Sequence, residues 1–311
     1  MDDPGLRDRS PRHSRGRSAA RVGRNLAAVV LIAGAAFLTA GLVYGDPRFV
    51  GLVEFNGGSD ATAVGAPASH PTASPADRQA GVPEDASQMA VPPPGIEEQD
   101  KPLGRPLTPA SASSSYKFLA TNADGTPVGY SPCRPLHYVV NAQLAPAGAG
   151  ELVDNAIRTV SEATGIKFIN DGPTTEAPSP SRAPYQKERY GERWAPLLIA
   201  WTTPEQAPQL KGAVIGTGGS THFSFGDGPK NFVTGSLELD APQIGNDLGR
   251  GDGSAYATAV ILHELGHVMG LEHVDDPTQL MYPEIGAPDG LAAGDLNGLH
   301  ELGRAACRKD L

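Results

Sequence analysis

The sequence predicts an α+β domain in which a twisted, mixed β-sheet of about five strands packs on one long helix and on a second, later helix, with a small C-terminal part ending in a helix. Three observations lead there. Short β-branched and aromatic runs recur after residue 116, two stretches (151–164 and 254–269) carry helical apolar periodicity, and Gly- or Pro-rich turns separate the pieces.

Taken in order, Leu136 to Val140 (LHYVV) has the composition of a strand. Glu151 to Thr164 sets Leu152, Ala156, Ile157, Val160 and Ala163 on one helical face, and Gly165 follows as a C-cap. Ile166 to Ile169 and Leu197 to Trp201 read as further strands. Between them, Asp171 to Trp194 is polar and Pro-studded, which fits a surface loop. Ala213 to Ile215, His222 to Phe225 and Phe232 to Leu239 add strand pieces joined by Gly-rich turns. Ser254 to Met269 is the strongest helix, with Ala255, Ala259, Leu262, Leu265, Gly266 and Met269 available to pack on the sheet, and Ala292 to Arg304 forms the last one.

The rest of the 311 residues is not domain-like. With 38 Gly and 29 Pro spread unevenly, one domain plus appendages is expected. Seven arginines within residues 1–25 precede an uncharged run from Leu26 to Tyr44, long enough as a helix to cross a bilayer. Residues 26–45 are therefore an uncleaved anchor or a cleaved signal segment, and their length and the lack of a clean small-residue cleavage site favour the anchor. By the positive-inside rule the basic segment 1–25 stays cytoplasmic and everything after Asp46 is outside, membrane-tethered or, after cleavage, secreted. Residues 46–115, rich in Pro, Ala and Ser, read as an unstructured tether, with an inhibitory pro-segment as the alternative; 116–311 is the folded domain. A net charge of −10 argues against a nucleic-acid partner.

The chemistry lies in HELGHVMGLEH, from His263 to His273. Histidines four apart on a helix share a face, so His263 and His267 can reach one ion. Gly270 falls where the chain must leave the helix in a left-handed conformation and return His273 as a third ligand. Three nitrogens leave a fourth position open for water, as in a catalytic and not a structural zinc site. Glu264, beside the first histidine but turned around the helix, is placed as the general acid/base toward that water.

On these residues the chain resembles the metzincins, and within them the matrixins, over about Arg134 to Arg304. HExxHxxGxxH is intact, Leu280-Met281-Tyr282-Pro283 follows, and Leu291 to Gly303 is similar to the family's final helix. The resemblance implies a metzincin-like fold and a zinc-dependent endopeptidase of extracellular or cell-envelope proteins. It implies Met281 as the hydrophobic floor beneath the ligands, and Tyr282, Pro283 and Ile285 as a substrate pocket wall. Glu238 and Leu239, on the strand before the site, would pair with an extended peptide if that strand borders the cleft. Three further histidines in the pattern of a second, structural zinc are not recognisable, so one zinc is expected. Asp240, Asp247 and Asp252 in Gly-rich turns offer calcium ligands, or are simply solvated.

The family's inhibitory cysteine motif is also not recognisable. In an oxidising compartment Cys133 and Cys307, bracketing the domain, are expected to form a disulfide; the rival reading makes Cys133 a removable zinc ligand. Two other functions stay open beside the peptidase: a zinc-binding cell-surface module without turnover, and a cell-wall amidase. A monomer is expected, and the Ala, Gly, Pro and Arg content suggests a bacterial source.

Overall fold

A computed structural model describes residues 91–225, 228–284 and 290–311. The basic start, the anchor or signal segment 26–45, most of the tether and Ile285 lie outside the described residues. Among the described residues, no helix is long and apolar enough to cross a membrane.

The elements run β1 (Lys117–Phe118), β2 (Leu136–Asn141), α1 (Ala149–Thr164), β3 (Phe168–Pro173), α2 (Lys187–Tyr190), β4 (Leu197–Thr202), a 3-10 turn at Pro208–Leu210, β5 (Gly216–Phe223), β6 (Asn231–Asp240), α3 (Ala241–Leu248), α4 (Gly253–Met269), β7 (Leu271–Glu272) and α5 (Ala293–Leu302). Five of the strands form one sheet in the order β3-β2-β4-β6-β5, parallel except for β5, which runs antiparallel to β6 along one edge. All six residues of β4 are buried, as a near-continuous apolar run in a central parallel strand should be. Leu152, Ala156, Ile157 and Val160 of α1 join Leu197, Ile199, Leu237 and Leu239 of the sheet and Val260, Ile261 and Leu265 of α4 in one core. Gly165 ends α1 at φ +69°, the left-handed conformation expected of a glycine there.

The edge strand differs from its sequence reading. Ala213 to Ile215 and His222 to Phe225, read as two pieces, are replaced by a single eight-residue strand from Gly216 to Phe223, whose glycines are extended backbone and not turns. Because β5 takes the edge, β6 lies inside the sheet, and Glu238 and Leu239 cannot pair with a peptide. Glu238 is instead buried, holds Gln209, and is pushed up to about 7 by burial.

The insertion at 171–194 is also more than a surface loop. Its first residues complete β3, α2 lies within it, and Tyr190 packs on Val139, Leu198 and Ala200 of the sheet face turned away from α1. Arg182, almost fully buried, forks onto both oxygens of Glu176 at 2.9 and 3.1 Å and donates to Thr234 Oγ1 and to the Pro196 carbonyl. Tyr190 and Gln186 also donate to Glu176. Burial raises the Glu176 carboxyl, but the Arg182 guanidinium and these donors outweigh it and hold the group below an ordinary Glu.

Residues 91–115, expected to belong to an unstructured tether, are a strap laid on the domain. Gly95 N–H donates to the Leu311 carbonyl, Leu103 N–H to Pro132 and Leu107 N–H to Glu162, and Asn297 donates to the Ser111 carbonyl. Gly104 crosses Gly165 so closely that a Cβ on either would overlap backbone. Backbone hydrogen bonds and close glycine contacts hold this segment, which is why its low apolar content misled the sequence reading. Cys133 and Cys307 are joined in a disulfide, with Cα atoms 5.3 Å apart and 174 positions between them in sequence. Closing a loop of that size contributes about 5 kcal/mol in the chain-entropy model. The thiol of Cys133 is thereby removed as a metal ligand.

Candidate metal centre

The helix α4 is buried from Ala259 through Met269, including His263, Glu264 and His267. Sequence position alone puts the two histidines on one face. Tertiary contacts then fix their rings: His263 Nδ1 donates to the Leu280 carbonyl at 2.7 Å and His267 Nδ1 donates to the Leu271 carbonyl at 2.8 Å. A carbonyl can only accept, so each Nδ1 carries the proton and each Nε2 presents a lone pair.

Gly270 brings in the third ring. It ends α4 at φ +119°, its N–H donates to the Gly266 and His267 carbonyls, and a Cβ there would stand 3.0 Å from the Val128 carbonyl oxygen and 3.1 Å from the Phe232 ring. Glycine is required on both counts. The chain then pairs as β7 with β1, Glu272 to Lys117 and Leu271 to Phe118, which delivers His273. His273 Nε2 lies 3.1 Å from both His263 Nε2 and His267 Nε2.

The lone pairs of His263 Nε2 and His267 Nε2 thus meet His273 Nε2, at a spacing a shared cation would suit. Nitrogens about 2.0–2.1 Å from a tetrahedral zinc are about 3.3 Å apart, so the residues fit the ion the motif implies. Burial, followed by the His267 charge, pushes His263 well down; burial and His273 push His267 down to about 4; burial lowers His273. All three rings are neutral ligands at neutral pH.

Glu264 is buried, its Oε1 has no hydrogen-bond partner, and burial pushes its carboxyl up to about 8. A dication beside it would draw that value down. The neighbouring strand β5 presses on it from one side.

Met281 is buried under α4. A Cβ on Gly266 would stand 2.5 Å from its sulfur, so glycine at 266 makes the room that the sulfur fills. Tyr282 and Pro283 follow, half-buried. One residue that sequence reading gave no role ties this turn together. Asp295, buried at the start of α5, accepts from Leu280 N at 2.8 Å, Ala292 N at 2.8 Å and Met281 N at 3.2 Å. Burial raises its carboxyl while the three N–H groups oppose the rise. The link runs from α5 through Leu280 to His263. An acid three residues into a helix suggests a cap, but the partners fourteen and fifteen positions away leave no mark in the sequence.

Among the described residues, Asp240, Asp247 and Asp252 do not form a group placed to share an ion. Asp240 caps α3, accepting from Gln243 N at 2.9 Å and Nε2 at 2.7 Å, and Asp247 pairs with Arg250 at 2.9 Å. Among the described residues, the groups placed to share an ion are the His263, His267, His273 triad and Glu98 with the two disulfide cysteines, whose sulfurs are already bonded.

Residues 200–302 match the matrixin family of peptidases. Among curated proteins the chain is similar to matrilysin of Felis catus, 38% identical over 28% of this chain and 33% of that protein, and to macrophage metalloelastase of Oryctolagus cuniculus, 36% identical over 29% and 19%. Matrix metalloproteinase-16 of Homo sapiens is 41% identical over 22% of this chain and 9% of that protein. The chain thus spans a third or less of the length of these relatives. The similarity falls on the segment that carries α4, the Gly270 turn and the Met281 floor, and over that segment the chain resembles the matrixin family.

Proposed function

We propose that this chain is a zinc-dependent endopeptidase acting on protein or peptide substrates outside the membrane. The observation that carries the reading is the meeting of the three Nε2 atoms of His263, His267 and His273, next to a buried Glu264 whose Oε1 has no hydrogen-bond partner. His263, His267 and His273 would hold the ion, and zinc, when bound, supplies Lewis acidity toward a carbonyl oxygen and toward water.

The remaining work falls to this chain's own groups. Glu264 takes a proton from the attacking water as the new C–O bond forms, and returns it to the leaving nitrogen as the C–N bond breaks. Leu280 and Leu271 carbonyls keep the two helical imidazoles in the ligating tautomer. Met281 excludes water from beneath the rings. Tyr282, Pro283 and Ile285 would border the pocket for a substrate side chain. The free edge of β5, antiparallel in its sheet and set against α4, offers a row of backbone groups to an extended peptide.

Location outside the membrane is supported by the Arg-rich start with its apolar run and by the disulfide. The test is incubation of the purified, zinc-loaded full chain with a peptide mixture, read by mass spectrometry. Chelator-sensitive internal cuts are expected. Zinc bound without any cut would favour an interaction module, and cleavage confined to cell-wall fragments would favour an amidase.

A further inference from the structure

We infer that Gly216 and Gly218 of β5 are positioning residues, a side-chain-free seat that holds the Glu264 carboxylate in place against the metal centre. Alternate residues of a strand share a face, and on the face of β5 turned to α4 these are Gly216, Gly218 and Ser220. Ser220 fixes the register: its hydroxyl donates to the Val268 carbonyl at 2.7 Å and meets the Tyr130 hydroxyl at 2.6 Å. With the strand pinned there, its two glycines fall on Glu264.

They touch different parts of it. A Cβ on Gly216 would stand 2.8 Å from Glu264 Cγ and 3.3 Å from both Cδ and Oε1, whereas a Cβ on Gly218 would overlap the Glu264 backbone carbonyl. Gly218 therefore sets how close the strand comes to the helix, and Gly216 sets where the carboxylate can lie. No hydrogen bond holds Oε1, and the backbone of Gly218 hydrogen-bonds to the carboxyl, so the strand restrains the group by contact and by that one bond. A free Glu side chain rotates about three torsions, and a proton-transferring group must be held within a fraction of an ångström of its working position.

The inference rests on the peptidase reading for its kinetic consequence and on geometry alone for the seat. The experiment compares full-length wild type with Gly216→Ala, Gly218→Ala and, as a control, Gly150→Ala, where a Cβ meets nothing within 4 Å. Gly216→Ala should lower kcat by about ten- to a hundredfold, with KM, zinc affinity and melting temperature close to wild type, because only the carboxylate is displaced. Gly218→Ala should lose stability outright, since backbone cannot yield, and Gly150→Ala should leave kcat unchanged. A crystal structure of Gly216→Ala should show Glu264 Cγ moved from its wild-type position. Unchanged kcat in Gly216→Ala overturns the inference, as does a fall in kcat matched by a parallel loss of zinc affinity or melting temperature. If zinc-loaded wild type cleaves nothing, the peptidase reading falls while the seat is still decided by that crystal structure: a displaced Glu264 upholds it and an unmoved one overturns it.

Discussion

Replacing Asp295 by alanine should damage the metal centre from a distance. The carboxylate accepts three backbone N–H groups, from Leu280, Met281 and Ala292, and all three become orphans when it is removed. A hydrogen bond to a charged group contributes about 1.5–3 kcal/mol, but three bonds sharing one carboxylate do not add, and burial of the charge offsets part of them, so about 3–5 kcal/mol is the expected loss. For a domain of this size that corresponds to a melting temperature lower by roughly 10 °C. The Leu280 carbonyl, freed to move, no longer orients His263, and loss of such an outer contact weakens zinc binding by about ten- to a hundredfold. Thermal unfolding of the metal-free protein and competition with a chromophoric chelator measure the two effects. A melting point within about 2 °C of wild type, together with zinc affinity within about twofold, would refute the proposed link from α5 to the ligand.

Other consequences can be checked alongside it. Substituting both Cys133 and Cys307 by serine removes a closed loop of 174 positions and should lower the unfolding free energy by up to about 5 kcal/mol, read by denaturant titration with and without reductant. Gly270→Ala would force a residue with a side chain to φ +119° and against the Val128 carbonyl, so a strain of roughly 1–3 kcal/mol and a displaced His273 should appear as weaker zinc binding in equilibrium dialysis. Glu176 titrates lower in the folded chain than in the unfolded one, so its contribution is complete above the unfolded value of about 4.3 and is lost as pH falls through the folded value. Arg182→Gln should therefore lower the melting temperature most at neutral pH and flatten the acid limb, the gap to wild type closing as pH falls through the folded value; an acid limb as steep as that of wild type would show that the pair does not carry that part of the stability.

The parts of this molecule legible in its sequence are those built from local pattern. The periodicity of α1 and α4 and the spacing of His263, His267, Gly270 and His273 all follow from helix geometry and one left-handed turn. The strap at 91–115 escaped the same reading because its backbone hydrogen bonds join residues far apart in sequence, and the Arg182 clamp because its buried ion pair with Glu176 follows no apolar period. In β5, Gly216, Gly218 and Gly219 have the composition of a turn, yet they form a strand, and the side chain and backbone of Glu264 lie where side chains at 216 and 218 would otherwise stand. That misreading displaced the sheet edge by one strand and put Glu238 at a cleft it does not reach.

Most directly at stake is the division of labour between three imidazoles that hold the metal and one carboxylate that moves the proton. Zinc content and cleavage of a quenched fluorescent peptide, measured together on Glu264→Gln, separate the two. The Gln variant should bind zinc as wild type does while kcat falls by about a hundredfold or more, since removing a general acid/base typically costs about 10²–10⁴ in rate. Near wild-type cleavage by a zinc-loaded Glu264→Gln protein would contradict the account.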